Sequence, residues 1–500
     1  MGKRLLLALT LASLYVAMTV SSPSVILSQG ATITVSNSVS GVTSKYIGAT
    51  EGGYFNVSDL TDCGINTYRV WIGMSDVEYC DDNDPRGYNW GCDQAGNTHF
   101  GLPISNTIKA DPNIINWGDW DVHINDPDYR WRTANNPDTV YGDMVSRLSQ
   151  NGILPVLCLR NRDQSDWPNW APEPSFGEDD VNEWWQYCFA VAYWFNVRNT
   201  YGVTHFEIHN EPDLSSQGWH GNQAQYVELV QIAYDAVKTA NDLAGIDTVI
   251  MAPVESQMPF PRTYDYFADV FDGADTEIHV ADFHWYHMDG TYPLSDLETA
   301  IDDLTNQITD HNPDGVIEPL WVSEYGNFSS PCAYDTIGEA LITARQLLHF
   351  SRKEVQGVTI FPFYDWGGTC GLVAASGSKT ETYYAYRLML RALVGGNDRL
   401  DFTASGVEDD QVMVTRDRDY IYIVVLDGGG TVSVDVSALG VDSGTATIRE
   451  YSSSYKDEIT GTSSISSGQF LFTAPSNGVA LARIPFTITY LPLVAQDYQN

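Results

Sequence analysis

Two glutamates stand where apolar segments stop. Glu211 lies in "FEIHNEPDL" (206–214) and Glu324 in "EPLWVSEYG" (318–326). Phe206 to Ile208 are residues that fill a sheet, whereas Asn210, Glu211 and Pro212 are not. A carboxyl beside an amide at such a point is either a solvated loop residue or a group that the strand exists to aim. Two carboxyls facing each other can divide acid–base labour. One protonates a leaving oxygen while the other attacks or activates water. Nearby apolar segments carry Arg69 ("TYRVWIG"), His284 and Tyr286 ("HVADFHWYH"), and Trp366 ("YDWGG"). Taken singly, each has a bland reading: Arg69 as an ion-pair residue, His284 as a satisfied core histidine, Trp366 as packing.

The elements that must position these groups are visible as an alternation. Strand candidates fall at 45–49, 67–73, 153–160, 204–210, 247–253, 279–287, 318–326 and 357–366. Helical patterns lie between them at 137–150, 179–200, 222–244, 294–310 and 336–353. Eight strands alternating with helices are what a (β/α)8 TIM barrel requires, and its active sites sit at the C-terminal ends of the strands. Glu211 then ends the fourth strand and Glu324 the seventh, on opposite sides of the mouth. The stretch 74–136 reads as a long aromatic loop without regular structure.

After residue 396 the pattern changes to short alternating segments broken by Gly, Ser and Asp. This predicts a C-terminal antiparallel β-sandwich over 397–487, with the early strand 31–36 a candidate to join it. The α/β barrel domain occupies 26–396, and 488–500 is a tail with no assigned role. Residues 1–25 have the basic start, apolar run and small residues of a signal peptide, so the expected location is extracellular. A membrane anchor is the alternative, but Leu5 to Val20 is short for one.

With 65 acidic against 26 basic residues, the net charge of −39 turns the chain away from nucleic acid and anionic membranes. Sulfated or uronate-rich polymers are disfavoured too, unless a local basic cleft overrides the charge. Of seven cysteines, Cys80 with Cys92 and Cys332 with Cys370 are the expected disulfides, in loop-like sequence. Cys63, Cys158 and Cys188 sit in apolar segments as buried thiols. No cysteine or histidine spacing suits zinc, the Asp/Asn-rich loop near 81–97 lacks EF-hand spacing, and no metal or cofactor is expected.

As an ordered series over about 45–395, these residues resemble the clan of retaining (β/α)8 glycoside hydrolases with catalytic glutamates on strands four and seven. Families 5, 30, 39, 51 and 79 belong to it. The motif after the fourth strand appears as Asn210-Glu211-Pro212, and the sixth-strand His-x-Tyr as His284-Trp285-Tyr286. The resemblance implies Glu211 as acid/base and Glu324 as nucleophile. It implies Asn210 at the sugar 2-hydroxyl, Arg69 and Tyr286 as donors keeping Glu324 ionised, His284 in support, and Trp366 as an apolar floor. Two positions depart from the families. Family 5 enzymes place a histidine after the third strand, where this chain reads Arg160-Asn161-Arg162, and His209 stands where families 39 and 51 carry tryptophan.

The implied partner is a carbohydrate; the acidic balance favours a neutral β-glycan, and the long aromatic loops fit a cleft for internal cleavage, although an exo-acting enzyme would also want walls around a pocket. A transglycosylase would keep both glutamates; an inactive carbohydrate-binding protein would be expected to lose one. Asn327-Phe328-Ser329 is a glycosylation acceptor pattern close to Glu324, where a glycan would crowd the cleft. That argues for a bacterial secretory route or an unused site.

Overall fold

The computed structural model describes residues 30–51, 55–73, 104–115, 117–125, 140–160, 178–214, 219, 221–256, 265–287, 294–327, 333–365 and 371–486. The signal segment, the C-terminal tail, Trp366, and Cys80, Cys92, Cys332 and Cys370 of the expected disulfides lie outside the described residues. Among the described residues no helix is long and apolar enough to cross a membrane.

Strand β1 (Ala31–Val42) belongs to a second sheet and precedes the barrel. Eight parallel strands then close a ring: β2 (Tyr46–Thr50), β3 (Thr67–Gly73), β4 (Leu154–Arg160), β5 (His205–Ile208), β6 (Val249–Glu255), β7 (Val280–Tyr286), β8 (Glu318–Gly326) and β9 (Gly357–Ile360). Each is close to one of the eight sequence segments. Helices Tyr141–Gln150, Glu178–Tyr193, Gln223–Ala244, Leu294–His311 and Ile337–Arg352 match the expected helical stretches within a few residues at each end, apart from a π-helical turn Trp194–Arg198 that continues the second.

The pleat of the strands sorts their side chains into two sets. In β4, Leu157 and Leu159 join the large core shared with the helices. Val156 joins Val249, Met251, Val280 and Trp321 in a separate cluster that plugs the barrel at its strand starts. Each such aliphatic side chain contributes about 1.5–3 kcal/mol by leaving water. Above this plug the interior turns polar, and the chemistry-bearing groups are found there.

Within 74–136, the described residues depart from expectation. They include helices Ile104–Ala110 and Trp117–His123. Ile108, Ile115, Trp117 and Trp120 are buried against the core, so these four are structural members of the domain. Periodicity failed there because seven-residue helices are too short to display an amphipathic repeat.

The second sheet contains β1 with β10 (Asp398–Ser405), β11 (Val412–Arg416), β12 (Tyr420–Leu426), β13 (Gly430–Asp435), β14 (Ser443–Tyr451), β15 (Lys456–Ser466), β16 (Gln469–Ala474) and β17 (Val479–Pro485). Its hydrogen bonding closes into a ring, with β1 antiparallel to β10 and parallel to β13. It encloses its own apolar core. Asp457 of β15, fully buried, links it to the barrel by pairing with Arg387 (2.6 Å) and Arg391 (2.8 Å) of helix Glu381–Leu393, and lies 3.4 Å from Arg449.

Candidate active site

Strand β5 ends abruptly because the backbone leaves the extended region. His209 has φ of 65° and Glu211 has φ of 48°, both left-handed values that cost energy for residues with a Cβ. Neighbouring strands hold the turn. The His209 amide donates to Leu159 O (2.8 Å) and the Glu211 amide to Val254 O (2.9 Å). The strand was expected to reach Asn210 and stops at Ile208 for this reason. The turn places Asn210 and Glu211, both buried, above the polar part of the barrel.

Glu324 reaches the same space by a different device. The register of β8 shifts against β7 between Phe283 and His284, and against β9 between Val322 and Tyr325. Such irregularities re-aim side chains. Here Glu324 faces the interior while Tyr325 returns to the helical core. Gly326 follows with φ of 152°, and a Cβ there would fall 2.8 Å from Phe361 O. Glycine is the residue this passage accommodates.

Arg69 organises the interior. It is fully buried, and its Nε donates to Glu207 Oε2 at 2.6 Å while Nη2 donates to Glu207 Oε1. Its Nη1 donates to Glu324 Oε1, and Nη2 also reaches Asn210 Oδ1 at 2.8 Å and Cys158 Sγ at 3.5 Å. Burial would lower its pKa, but Glu207, and to a lesser extent Cys158 and Glu324, raise it well above the ordinary arginine range. The contact with Asn210 orients that amide with its NH2 turned away from the guanidinium. Tyr286 donates to the second oxygen of Glu324. Burial, then the Glu324 and Glu211 charges, push the Tyr286 hydroxyl well above its usual pKa, so it stays a donor.

His284 Nδ1 lies 2.8 Å from Glu211 Oε1 and 3.6 Å from Glu324 Oε2. Burial lowers its pKa to about 4, so the imidazole is neutral near pH 7. One donor atom each of Glu211, His284 and Glu324 lies within 4.8 Å of the others. That spacing could admit a cation, but the Arg69 guanidinium bonded to Glu324 opposes one by charge.

Of the sequence candidates, the structure brings Arg69, Asn210, Glu211, His284, Tyr286 and Glu324 together. Asn327 is buried and donates to Glu339 Oε2 at 3.0 Å, so its amide is not presented for a glycan. Cys63, Cys158 and Cys188 are free and buried. Glu207 is the residue that sequence reasoning missed. Its signal was present in "HFEI", where period two puts His205 and Glu207 on the interior side and Phe206 and Ile208 on the helical side. An acid in an interior column requires a cation, and Arg69 was available.

No family model matches the sequence, and no curated protein matches it. Solved structures do match. A glucosidase from Croceicoccus marinus aligns with TM-score 0.64 at 14% identity, covering 92% of this chain and 99% of that one. The (β/α)8 fold is one that the chain shares with this glycoside hydrolase. A GH39 enzyme from Xanthomonas axonopodis pv. citri aligns with TM-score 0.61 at 13% identity, covering 91% and 97%. A GH30 endoxylanase from Clostridium papyrosolvens C71 aligns with TM-score 0.59 at 14% identity, covering 91% and 100%. These shares are too large for the barrel alone and include the second sheet. At such identities the likeness is one of fold, and the chemistry must be argued from the site.

Proposed function

We propose that this protein is a secreted retaining glycoside hydrolase that cleaves β-glycosidic bonds within a glycan. The carrying observation is the pair of carboxylates, with an oxygen of Glu211 within 4.8 Å of one of Glu324. Retaining enzymes hold their carboxyls about 5–5.5 Å apart, whereas inverting ones leave about 6.5–9.5 Å for a water between them. A nearest-oxygen approach within 4.8 Å is compatible with the shorter spacing and with direct attack by one carboxylate.

The two glutamates are served differently. Glu324 receives Arg69 on one oxygen and Tyr286 on the other, which suits an ionised nucleophile held at a fixed angle. Glu211 has the neutral His284 as neighbour. One tautomer of a neutral imidazole accepts a hydrogen bond at Nδ1 and the other donates one, so His284 can pair with either form of Glu211. In the first step Glu324 bonds to the anomeric carbon while Glu211 gives its proton to the departing oxygen. In the second, Glu211 takes a proton from water, which displaces Glu324 and restores both groups. Asn210, oriented by Arg69, would hold the sugar hydroxyl next to the reacting carbon.

Chemical rescue tests this reading. Glu324→Ala should lose hydrolysis of β-glycosides, and azide should restore turnover of activated aryl β-glycosides as the α-glycosyl azide, because it enters from the vacated face. Glu211→Ala should retain the first step on activated aryl glycosides and yield the β-azide. Ordinary hydrolysis by both variants would refute the assignment.

A further inference from the structure

Arg160 ends β4 in the inward column Leu154, Val156, Cys158, Arg160, so the pleat carries it to the barrel mouth. Its guanidinium carbon lies 4.6 Å from the centroid of the Trp71 ring, and that of Arg69 lies 5.5 Å from the same ring. Trp71 packs on Phe361 at 5.3 Å and clusters with Tyr286, the donor to Glu324. Arg160 therefore stands one side chain away from the residues that hold the nucleophile.

Arg160 is only 9% exposed, and its Nε is buried without a hydrogen-bond partner. Among the described residues no carboxylate pairs with it, in a chain that carries 65 acidic residues. Arg69 offers the contrast: also interior, and fully buried, it has both Glu207 and Glu324. A buried charge without a partner is disfavoured by several kcal/mol, and the cost is recovered when an anion arrives in the same low-dielectric space. The planar fork of a guanidinium fits a carboxylate through two parallel hydrogen bonds.

We propose that Arg160 receives the carboxylate of a uronosyl unit bound beside Trp71, so that the glycan carries uronic acid at the cleft instead of being wholly neutral. The proposal rests on the glycosidase reading and narrows its substrate class. It also accommodates the net charge of −39, which repels a continuous polyuronate but not a mostly neutral chain with isolated uronosyl units.

The test uses the full-length protein, a β-glycan bearing uronic acid, and the same glycan after carboxyl reduction, which turns each uronosyl unit into a neutral sugar. The native protein should show kcat/KM about tenfold or more higher on the acidic form, as expected for a charge-assisted bidentate contact. The ratio should fall toward one in Arg160→Gln and be partly kept in Arg160→Lys. Because Arg160→Gln removes a buried charge that no carboxylate among the described residues compensates, its melting temperature should not drop. A native ratio near one, an unchanged ratio in Arg160→Gln, or a steep loss of stability there would overturn the proposal. Stronger action on a sulfated glycan than on the carboxylated one would overturn the uronate assignment. If the native protein cleaves neither form nor any activated aryl β-glycoside, the glycosidase reading fails on its own. Calorimetric titration with acidic and reduced oligosaccharides then decides the Arg160 question: selective binding of the acid supports it and equal binding overturns it.

Discussion

Glu207 and Glu324 share one guanidinium. Arg69 meets the first through Nε and Nη2 and the second through Nη1, so the proposed nucleophile is fixed to the same cation that satisfies a structural carboxylate on β5. Two strands that are distant in sequence are thereby held in one geometry.

Breaking that arrangement should be costly. Glu207→Gln leaves Arg69 with weaker compensation in a fully buried position and should destabilise the fold by about 3–5 kcal/mol. Denaturant unfolding would measure it. Glu207→Leu combined with Arg69→Met and Glu324→Gln should be less destabilised than Glu207→Gln, although inactive, because no buried charge is then stranded. Equal losses in both would contradict the pairing.

Tyr286→Phe removes one donor from Glu324 and leaves the ring in its cluster with Trp71, Cys158 and Phe361. The kcat should fall by about 10²–10³-fold, the range for losing one preorganised donor, with little change in melting temperature. A melting temperature that collapses with kcat would show that the hydroxyl matters mainly for folding.

His209 gives a pH signature. Burial lowers its pKa to about 4 from the ordinary 6.5. Between those values the unfolded chain binds a proton that the native protein does not, so stability falls as pH drops from about 6.5 to about 4 and this contribution is constant below that. The loss is on the order of a few kcal/mol. His209→Asn removes the titration while retaining a residue that tolerates φ of 65°. Unfolding at pH 7 and pH 4.5 should show a smaller decline in the variant. Identical declines would assign the pH dependence elsewhere.

Asp457 tests the junction between the two sheets. It is fully buried beneath Arg387 and Arg391, which lie four residues apart on one helix face, with Arg449 close by. Asp457→Ala should lower the melting temperature, with a cost of about 2–4 kcal/mol because the arginines keep some contact with water. Activity well below the transition should be unaffected, since the arginines that Asp457 pairs with hold neither Glu211 nor Glu324. Loss of activity without loss of stability would mean that the second sheet acts on the site directly.

Much of this was legible in the linear chain. Period-two and helical repeats marked all eight barrel strands and five of the helices, because sheets and long helices impose their spacing on apolar residues. Polar residues at strand ends then singled out Arg69, Asn210, Glu211, His284, Tyr286 and Glu324, since a barrel leaves little other reason for such groups there. The short helices of 104–123 were not legible, because seven residues carry too little of a repeat. Neither was the role of Glu207, which depends on which face of β5 meets Arg69. The register shift that turns Glu324 inward, the left-handed turn that lifts Glu211, and the lack of a carboxylate partner for Arg160 among the described residues exist only once strands far apart in sequence are side by side. Local spacing determines which residues can form a strand; closure of the ring determines what each side chain faces.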